Sequence, residues 1–372
     1  MLYRSLLRPT LFCLPAETAH KLALHSLSSP LAVWVIKLLI RPLPAENLEL
    51  ERFGLRFSNP VGLAAGFDKD GIALPALSAL GFGFIEGGTV THRPQRGNEL
   101  PRLFRLPTDK ALINRAGFNN EGAATFAKRV AKNPPDCVLG ISIGKSKVVP
   151  LEEAVDDYLK SFEAVFPVAD YVAVNVSSPN TPRLRELQSA EQLERLVSAL
   201  NKKNRELTEK AGRTSNMPLL VKLAPELGMP ELEMIVDVAR RTGIAGLIAT
   251  NTTVERVGLK SSAAKIRALG EGGLSGAPLR RRSTEMIARL YNITEGSIPL
   301  IGVGGIFSAE DAWEKICAGA SLVQIYTGFI YEGPRIVQRI NEGLAETLRR
   351  EGFRSLDEAI GCRSIAGAQA RK

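Results

Sequence analysis

Cysteine and histidine are scarce in this chain: 372 residues hold four of the first and three of the second. Cys13, Cys137, Cys317 and Cys362 are scattered and form no C-x-x-C pair, so a zinc site, an iron–sulfur site and a disulfide framework all lack ligands. The chain reads as a protein of a reducing compartment, and no metal is expected. Long apolar runs are missing too. A membrane span needs roughly 18 consecutive apolar residues. The longest near-continuous stretch, 31–40, is too short and contains Lys37. Residues 1–16 carry Arg4 and Arg8 and no acid, but no signal-like apolar core or small-residue cleavage site follows, so a targeting peptide is not expected.

What the chain does have is apolar content and positive charge. Hydrophobic residues make up 45%, enough for a sizeable core and against disorder. The length fits one α/β barrel of roughly 250 residues plus a small appendage. The formal net charge of +9 suits an anionic partner, whether nucleic acid, anionic lipid or an acidic small molecule. A plain surplus of surface Lys and Arg explains it equally well.

Residues 1–41 differ from the rest. Ser29-Pro30 has the form of an N-cap followed by proline at the first helical position, predicting a helix over 30–41 that is apolar on most sides. Before it, 15–28 reads as a second helix with Ala19, Leu22, Ala23, Ser26 and Leu27 on one stripe. Such a pair must bury its apolar surface against the barrel, another subunit or a bilayer interface. Arg41-Pro42-Leu43-Pro44 breaks the helix, and 42–58 reads as a linker leading into the next domain.

From residue 59 short apolar, β-branched runs alternate with helical patterns. The runs are 60–65, 82–86, 138–143, 171–176, 219–223, 246–250, 299–303 and 322–326. Helical segments fall at 152–166, 190–204, 230–242, 279–291, 309–318 and 334–350. About eight such units argue for an α/β fold of the (β/α)₈ barrel type over 59–352, with 353–372 as a tail. A doubly wound open sheet is the alternative.

Barrel enzymes work at the carboxyl ends of their strands. Here those ends carry Gly66-Phe67-Asp68-Lys69, Gly87-Gly88-Thr89, Ser142 with Lys145, Asn175 to Asn180, Lys222, Thr250-Asn251-Thr252-Thr253, Gly302-Val303-Gly304-Gly305 and Tyr326-Thr327-Gly328. This many amides, hydroxyls and lysines on one rim point to a polar, anionic ligand. Glycine loops after strands seven and eight commonly bind phosphate, because backbone N–H groups can approach its oxygens there. The other reading of a lone G-x-G-G is a tight strand-to-helix turn.

Five motifs, in this order, resemble those of dihydroorotate dehydrogenases: Leu63-Ala64-Ala65-Gly66-Phe67-Asp68-Lys69-Asp70-Gly71, Gly88-Thr89-Val90-Thr91, Asn114-Arg115-Ala116-Gly117-Phe118-Asn119, Asn175-Val176-Ser177-Ser178-Pro179-Asn180-Thr181 and Gly302-Val303-Gly304-Gly305-Ile306. The likeness spans roughly residues 50 to 350. It implies FMN as cofactor and oxidation of dihydroorotate to orotate, a base taking the C5 proton while C6 passes hydride to the flavin. By resemblance Ser178 is that base; soluble relatives place cysteine there, so serine implies the quinone-linked class. A hydroxyl is a poor base unaided and needs a relay, for which Thr181 and the backbone near Phe118 are candidates. Read without the family, Ser178 is a turn or capping hydroxyl before Pro179. The resemblance assigns the substrate to Lys69, Asn114, Arg115, Ala116, Gly117, Phe118, Asn175, Asn180, Asn251 and Thr252. It assigns FMN to Ala65, Gly66, Phe67, Asp68, Lys69, Thr89, Ser142, Asn175, Lys222, Thr250, Gly276, Gly305, Tyr326 and Thr327. The apolar flanks of Lys222 argue against a surface lysine, and its charge suits an anionic reduced flavin.

Two positions depart from the family pattern. Ser142 stands where asparagine is usual, which implies one shorter or water-bridged flavin contact. The loop after Thr181 usually contains glycine and here reads Pro182-Arg183-Leu184, which puts lid mobility in doubt. Quinone-linked members carry an N-terminal helical extension like 1–41, and by resemblance His20, Arg105 and Tyr326 line a tunnel for ubiquinone or menaquinone. The expected setting is peripheral, on the cytoplasmic side of a bacterial inner membrane, with no nucleic-acid partner and a monomer favoured. Two other readings exist. A flavin barrel that reduces tRNA uridine calls for a cysteine at the fourth strand end and a basic appendage, whereas this chain has Ser178 and an apolar one. An FMN-binding protein without catalysis is opposed by Ser178, Lys69 and the asparagine set.

Overall fold

The computed structural model describes residues 3–40 and 46–364. A short π-helical segment, Tyr3–Leu7, leads into α1 (Arg8–Cys13), α2 (Ala16–Leu27) and α3 (Pro30–Leu39). Ser29 caps α3 as its sequence foretells, its Oγ accepting from the Ala32 amide at 3.1 Å. The expected pair of helices thus has a third element before it. Tyr3 Oη donates to the Ile330 carbonyl at 2.6 Å and Arg8 to that of Tyr331 at 3.1 Å, fastening this segment to the helix that follows the last barrel strand. Helix α3 is not bare all round. Ile36 packs on the core and Ile40 beyond it is buried, while Leu31, Trp34, Leu38 and Leu39 are 60–67% exposed. Helices α2 and α3 meet at 85°, and neither is long and apolar enough to cross a membrane.

Residues 41–45 of the predicted linker lie outside the described residues; 50–57 form a hairpin, β1 (Leu50–Arg52) and β2 (Leu55–Phe57). Its Phe53 and Phe57 rings stack toward Tyr171 and Phe84, closing the amino-terminal end of the barrel. There follow β3 (Val61–Leu63), α4 (Leu74–Ala79), β4 (Phe84–Val90), β5 (Leu103–Leu106), β6 (Ala111–Asn114), α5 (Ala123–Lys132), β7 (Val138–Ile143), α6 (Ala154–Val165), β8 (Tyr171–Asn175) and α7 (Ala190–Lys210). The rest comprises β9 (Leu219–Leu223), α8 (Met229–Thr242), β10 (Gly246–Ala249), α9 (Ala263–Leu269), β11 (Gly273–Gly276), α10 (Arg280–Thr294), β12 (Leu300–Val303), α11 (Ala309–Ala318), β13 (Ala320–Ile325), α12 (Thr327–Glu332), α13 (Ile336–Glu351) and α14 (Leu356–Ala359).

Eight parallel strands close in the order β3-β4-β7-β8-β9-β10-β12-β13, with β13 pairing back to β3. This is the (β/α)₈ barrel, not the open sheet. The strands are buried on both faces, which is why they read as unbroken apolar runs rather than alternating ones. The helices are amphipathic instead: in α7, Leu193, Leu196, Val197 and Leu200 recur at helical spacing and are buried. Two features escape a strand–helix count. An antiparallel sheet, β5-β6-β11, lies over the mouth with its own small core of Leu106, Ala111, Ile113 and Leu274. The tail also packs: Leu356 and Ala359 are buried, and the Arg363 amide donates to Cys317 O at 3.0 Å.

Candidate active site

The strand ends and the β5-β6-β11 sheet enclose a cavity of about 720 Å³, within the range typical of cofactor and ligand sites. Helix α2 forms one wall through Glu17, His20, Lys21 and Leu24. That wall is held by a bidentate ion pair, Glu17 with Arg102 at 2.8 and 3.2 Å, mostly buried.

One end of the cavity is a ring of amides and hydroxyls. Asn180 donates to the Asn114 side chain at 3.2 Å; Asn251 donates to Asn175 at 3.2 Å and to Ser177 at 3.0 Å; Asn175 donates to Thr89 Oγ1 at 3.0 Å. Mutual pairing satisfies these groups and fixes their orientation. Ser178 lies in this ring, buried, its Oγ accepting from the Asn180 amide at 3.3 Å. Lys69 donates to Asn119 at 3.0 Å, a partner the sequence reading passed over. Burial, and next the Arg102 guanidinium, push the Lys69 ammonium down to about 8. It still carries its charge at neutral pH.

The opposite wall holds the glycines. Gly305 has φ +72°, and a Cβ there would meet Arg280 Cβ at 2.4 Å; Gly276 has φ +101°, and its Cβ would meet the Lys110 carbonyl at 2.3 Å. Only glycine fits these turns, which bring backbone amides to the cavity beside Thr327, whose hydroxyl bonds Ser275 at 2.8 Å. Between the two walls Lys222 reaches inward from β9. It is not a solitary cation: Nζ pairs with the fully buried Glu86 carboxylate at 3.2 Å, which also accepts from Gln324 at 2.9 Å and Tyr171 at 3.3 Å. Glu86 ends the apolar run of the second barrel strand, and a lone acid there was the available signal. The Gln324 side-chain oxygen is buried without a partner, an acceptor left for a ligand donor.

Nearly all the residues singled out from sequence line this cavity: Lys69, Asn114, Ala116, Gly117, Phe118, Asn175, Ser178, Asn180, Asn251, Thr252, Ala65, Gly66, Phe67, Asp68, Thr89, Lys222, Thr250, Gly276, Gly305, Tyr326, Thr327 and His20. The Asp68 carboxylate, however, is spent on the Ile72 and Ala73 amides at 3.0 and 2.7 Å. Three residues stand off the lining. Ser142 is fully buried behind Thr89, hydroxyl to hydroxyl at 2.9 Å, because the shorter side chain ends one group short of the cavity. Arg115 turns to the Leu269 and Glu271 carbonyls and lies over the Phe104 ring. Arg105 lies over Phe12 and donates to Leu14 O at 2.8 Å, so it fastens α1 to the sheet instead of facing the cavity. His20 and Tyr326 do converge, both packed edge-on against Phe67 at 5.1 and 5.8 Å. Burial, helped by the Lys69 charge, lowers His20 to about 4, and burial raises Tyr326 to about 12; both are neutral at pH 7.

The model of the dihydroorotate dehydrogenase family matches residues 47–348. The chain belongs to that family. Among its relatives, the dihydroorotate dehydrogenase (quinone) of Gloeobacter violaceus is 52% identical over 97% of this chain and 99% of its own. That of Nostoc punctiforme is 53% identical over 85% of this chain and 84% of its own. The solved dihydroorotate dehydrogenase of Eimeria tenella in complex with ferulenol superposes with a TM-score of 0.83 at 37% identity, covering 93% of this chain and 94% of that one. Family membership makes the protein an oxidoreductase of a flavin-dependent group.

Proposed function

We propose that the protein oxidises (S)-dihydroorotate to orotate in pyrimidine synthesis, with FMN as hydride acceptor and a membrane quinone as final electron acceptor. One observation carries this reading: a single cavity runs from the Ser178–asparagine ring, past Lys222, to the wall formed by α2. A carboxylate-bearing pyrimidine and a lipid-soluble acceptor can thus approach one redox group from different ends.

The residues present fit FMN. The amides at Gly276 and Gly305 with Thr327 would hold its phosphate, while Thr89, Thr250, Lys222 and Gln324 would hold the ring. Bound there, FMN supplies the two-electron acceptor. The chain's own part is positioning and proton handling. Lys69 and the amides of Asn114, Asn175, Asn180 and Asn251 orient the substrate carboxylate and ring edges. Ser178 Oγ takes the C5 proton; among the described residues no carboxylate or imidazole bonds to it, so the proton leaves through hydroxyls or water. Lys222 favours the reduced, anionic flavin, and Glu86 keeps that lysine inside the barrel.

At the other end His20, Phe67 and Tyr326 offer an apolar, uncharged path for a ubiquinone or menaquinone head. Leu31, Trp34, Leu38 and Leu39 on α3, with Leu22 on α2, would lie in the lipid interface on the cytoplasmic side of a bacterial inner membrane. The decisive assay compares acceptors. Purified protein given dihydroorotate should reduce a ubiquinone analogue and leave fumarate and NAD⁺ unreduced. Turnover with fumarate or NAD⁺ and none with quinone would overturn the quinone-linked assignment.

A further inference from the structure

A second cavity, about 760 Å³, opens on the outer side of the asparagine ring. It lies between the turn at Pro179, Asn180 and Pro182 and the segment from Ile266 to Gly272. Asn180 lines both cavities, and Gly273 and Pro179 come close enough that a Cβ on the glycine would sit 3.4 Å from the proline ring. The turn that follows Ser178 thus borders both cavities.

Its charge is lopsided. Arg115, Lys147, Arg256 and Arg267 line it, against Glu271 alone. None of the four cations is in an ion pair among the described residues, although Arg and Lys elsewhere in the chain are repeatedly paired. Arg115 and Arg256 are held by backbone carbonyls, which fix a guanidinium without cancelling its charge. Lys147 bonds the neutral Asn98 amide at 2.8 Å, and Arg267 stands exposed on α9. Four unpaired cations around a concavity repel one another, and a low-dielectric wall focuses their field into the opening. At the α2 end of the main cavity the cations are tied to a carboxylate instead: Glu17 pairs with both Arg102 and Lys21.

We propose that this basic vestibule is where the anionic substrate is captured before it passes the 179–182 turn to Ser178, leaving the α2 end to the neutral acceptor. The inference rests on the proposed function, since it takes a small carboxylate as the ligand. Arg183 adjoins the turn in a left-handed conformation (φ +57°), and its charge is taken up by Glu186 at 2.9 Å and Glu152 at 3.4 Å.

The test uses the exposed pair, Lys147→Gln with Arg267→Gln, in the full-length, flavin-loaded protein. A unit charge roughly 10 Å from a carboxylate in water changes its local concentration about two-fold, so the double variant should raise KM for dihydroorotate about four-fold at low salt. The Debye length falls to about 3 Å at 1 M salt, where the difference should vanish. kcat and KM for quinone should stay as in the wild type. Lys202→Gln with Lys210→Gln on α7 removes the same net charge far from the vestibule and should change nothing. An unchanged KM at low salt, an effect that persists at 1 M salt, or an equal effect from the α7 pair would each overturn the vestibule. A wild-type protein that does not turn over dihydroorotate would instead overturn the proposed function, so the two failures are distinguishable.

Discussion

Replacing Glu86 by glutamine should be among the most destabilising single-atom changes available in this barrel. The carboxylate is fully buried, and its partner Lys222 is nearly so. Glutamine keeps one oxygen for the Gln324 and Tyr171 donors, removes the charge, and turns an N–H₂ donor toward the Lys222 ammonium in place of an acceptor. The Lys222 ammonium, 3.2 Å away, is then left buried without a counter-ion. Breaking a buried pair from one side costs about 3–5 kcal/mol, because the remaining charge keeps its desolvation penalty. Removing the second charge while keeping that oxygen, Glu86→Gln with Lys222→Met, leaves the Gln324 and Tyr171 donors paired and should recover most of that stability. Urea unfolding followed by circular dichroism, with flavin content recorded for each variant, measures the cycle. A Glu86→Gln protein within about 1 kcal/mol of wild type would refute the reasoning. So would a double variant less stable than Glu86→Gln.

Ser178→Ala should retain flavin and slow its reduction by dihydroorotate by roughly 10²–10⁴ at neutral pH, the usual cost of losing a general base; unchanged single-turnover reduction would remove Ser178 from that role. Lys69 is charged below about 8 and neutral above it, so kcat/KM for dihydroorotate should fall as pH rises through that value. Lys69→Gln should be uniformly poor with no break there, and a wild-type profile flat from pH 7 to about 9.5 would contradict the assignment. Deleting residues 1–41 should leave reduction by dihydroorotate in place and cripple reoxidation by a long-chain quinone in vesicles; equal loss of both activities would make the helices a mere cap on the barrel.

The barrel was legible because strands buried on both faces carry unbroken apolar runs and the helices between them keep a 3.6-residue stripe. The run at 219–223 matches β9 residue for residue. The β5-β6-β11 sheet was not legible, since its strands are four residues each and β11 joins β6 from more than 150 residues away. That sheet nonetheless delivers Asn114 and Gly276 to the cavity, and both were reached through motif likeness rather than periodicity. Glu86 was missed for a related reason: an acid in an apolar strand looks like a strand end until its cross-barrel partner is visible. Arg105 and Arg115 show the converse. Motif position put them at the site, but a long cationic side chain goes where acceptors are, and here those are backbone carbonyls on the outer side of the sheet. Local spacing does not carry that information.

The most direct test of the proposed chemistry is an anaerobic titration of the purified, flavin-loaded protein with dihydroorotate. The flavin absorbance should bleach with one equivalent per site, release orotate, and return on adding a ubiquinone analogue. A flavin that stays oxidised in excess dihydroorotate, yet bleaches with a chemical reductant, would contradict the account.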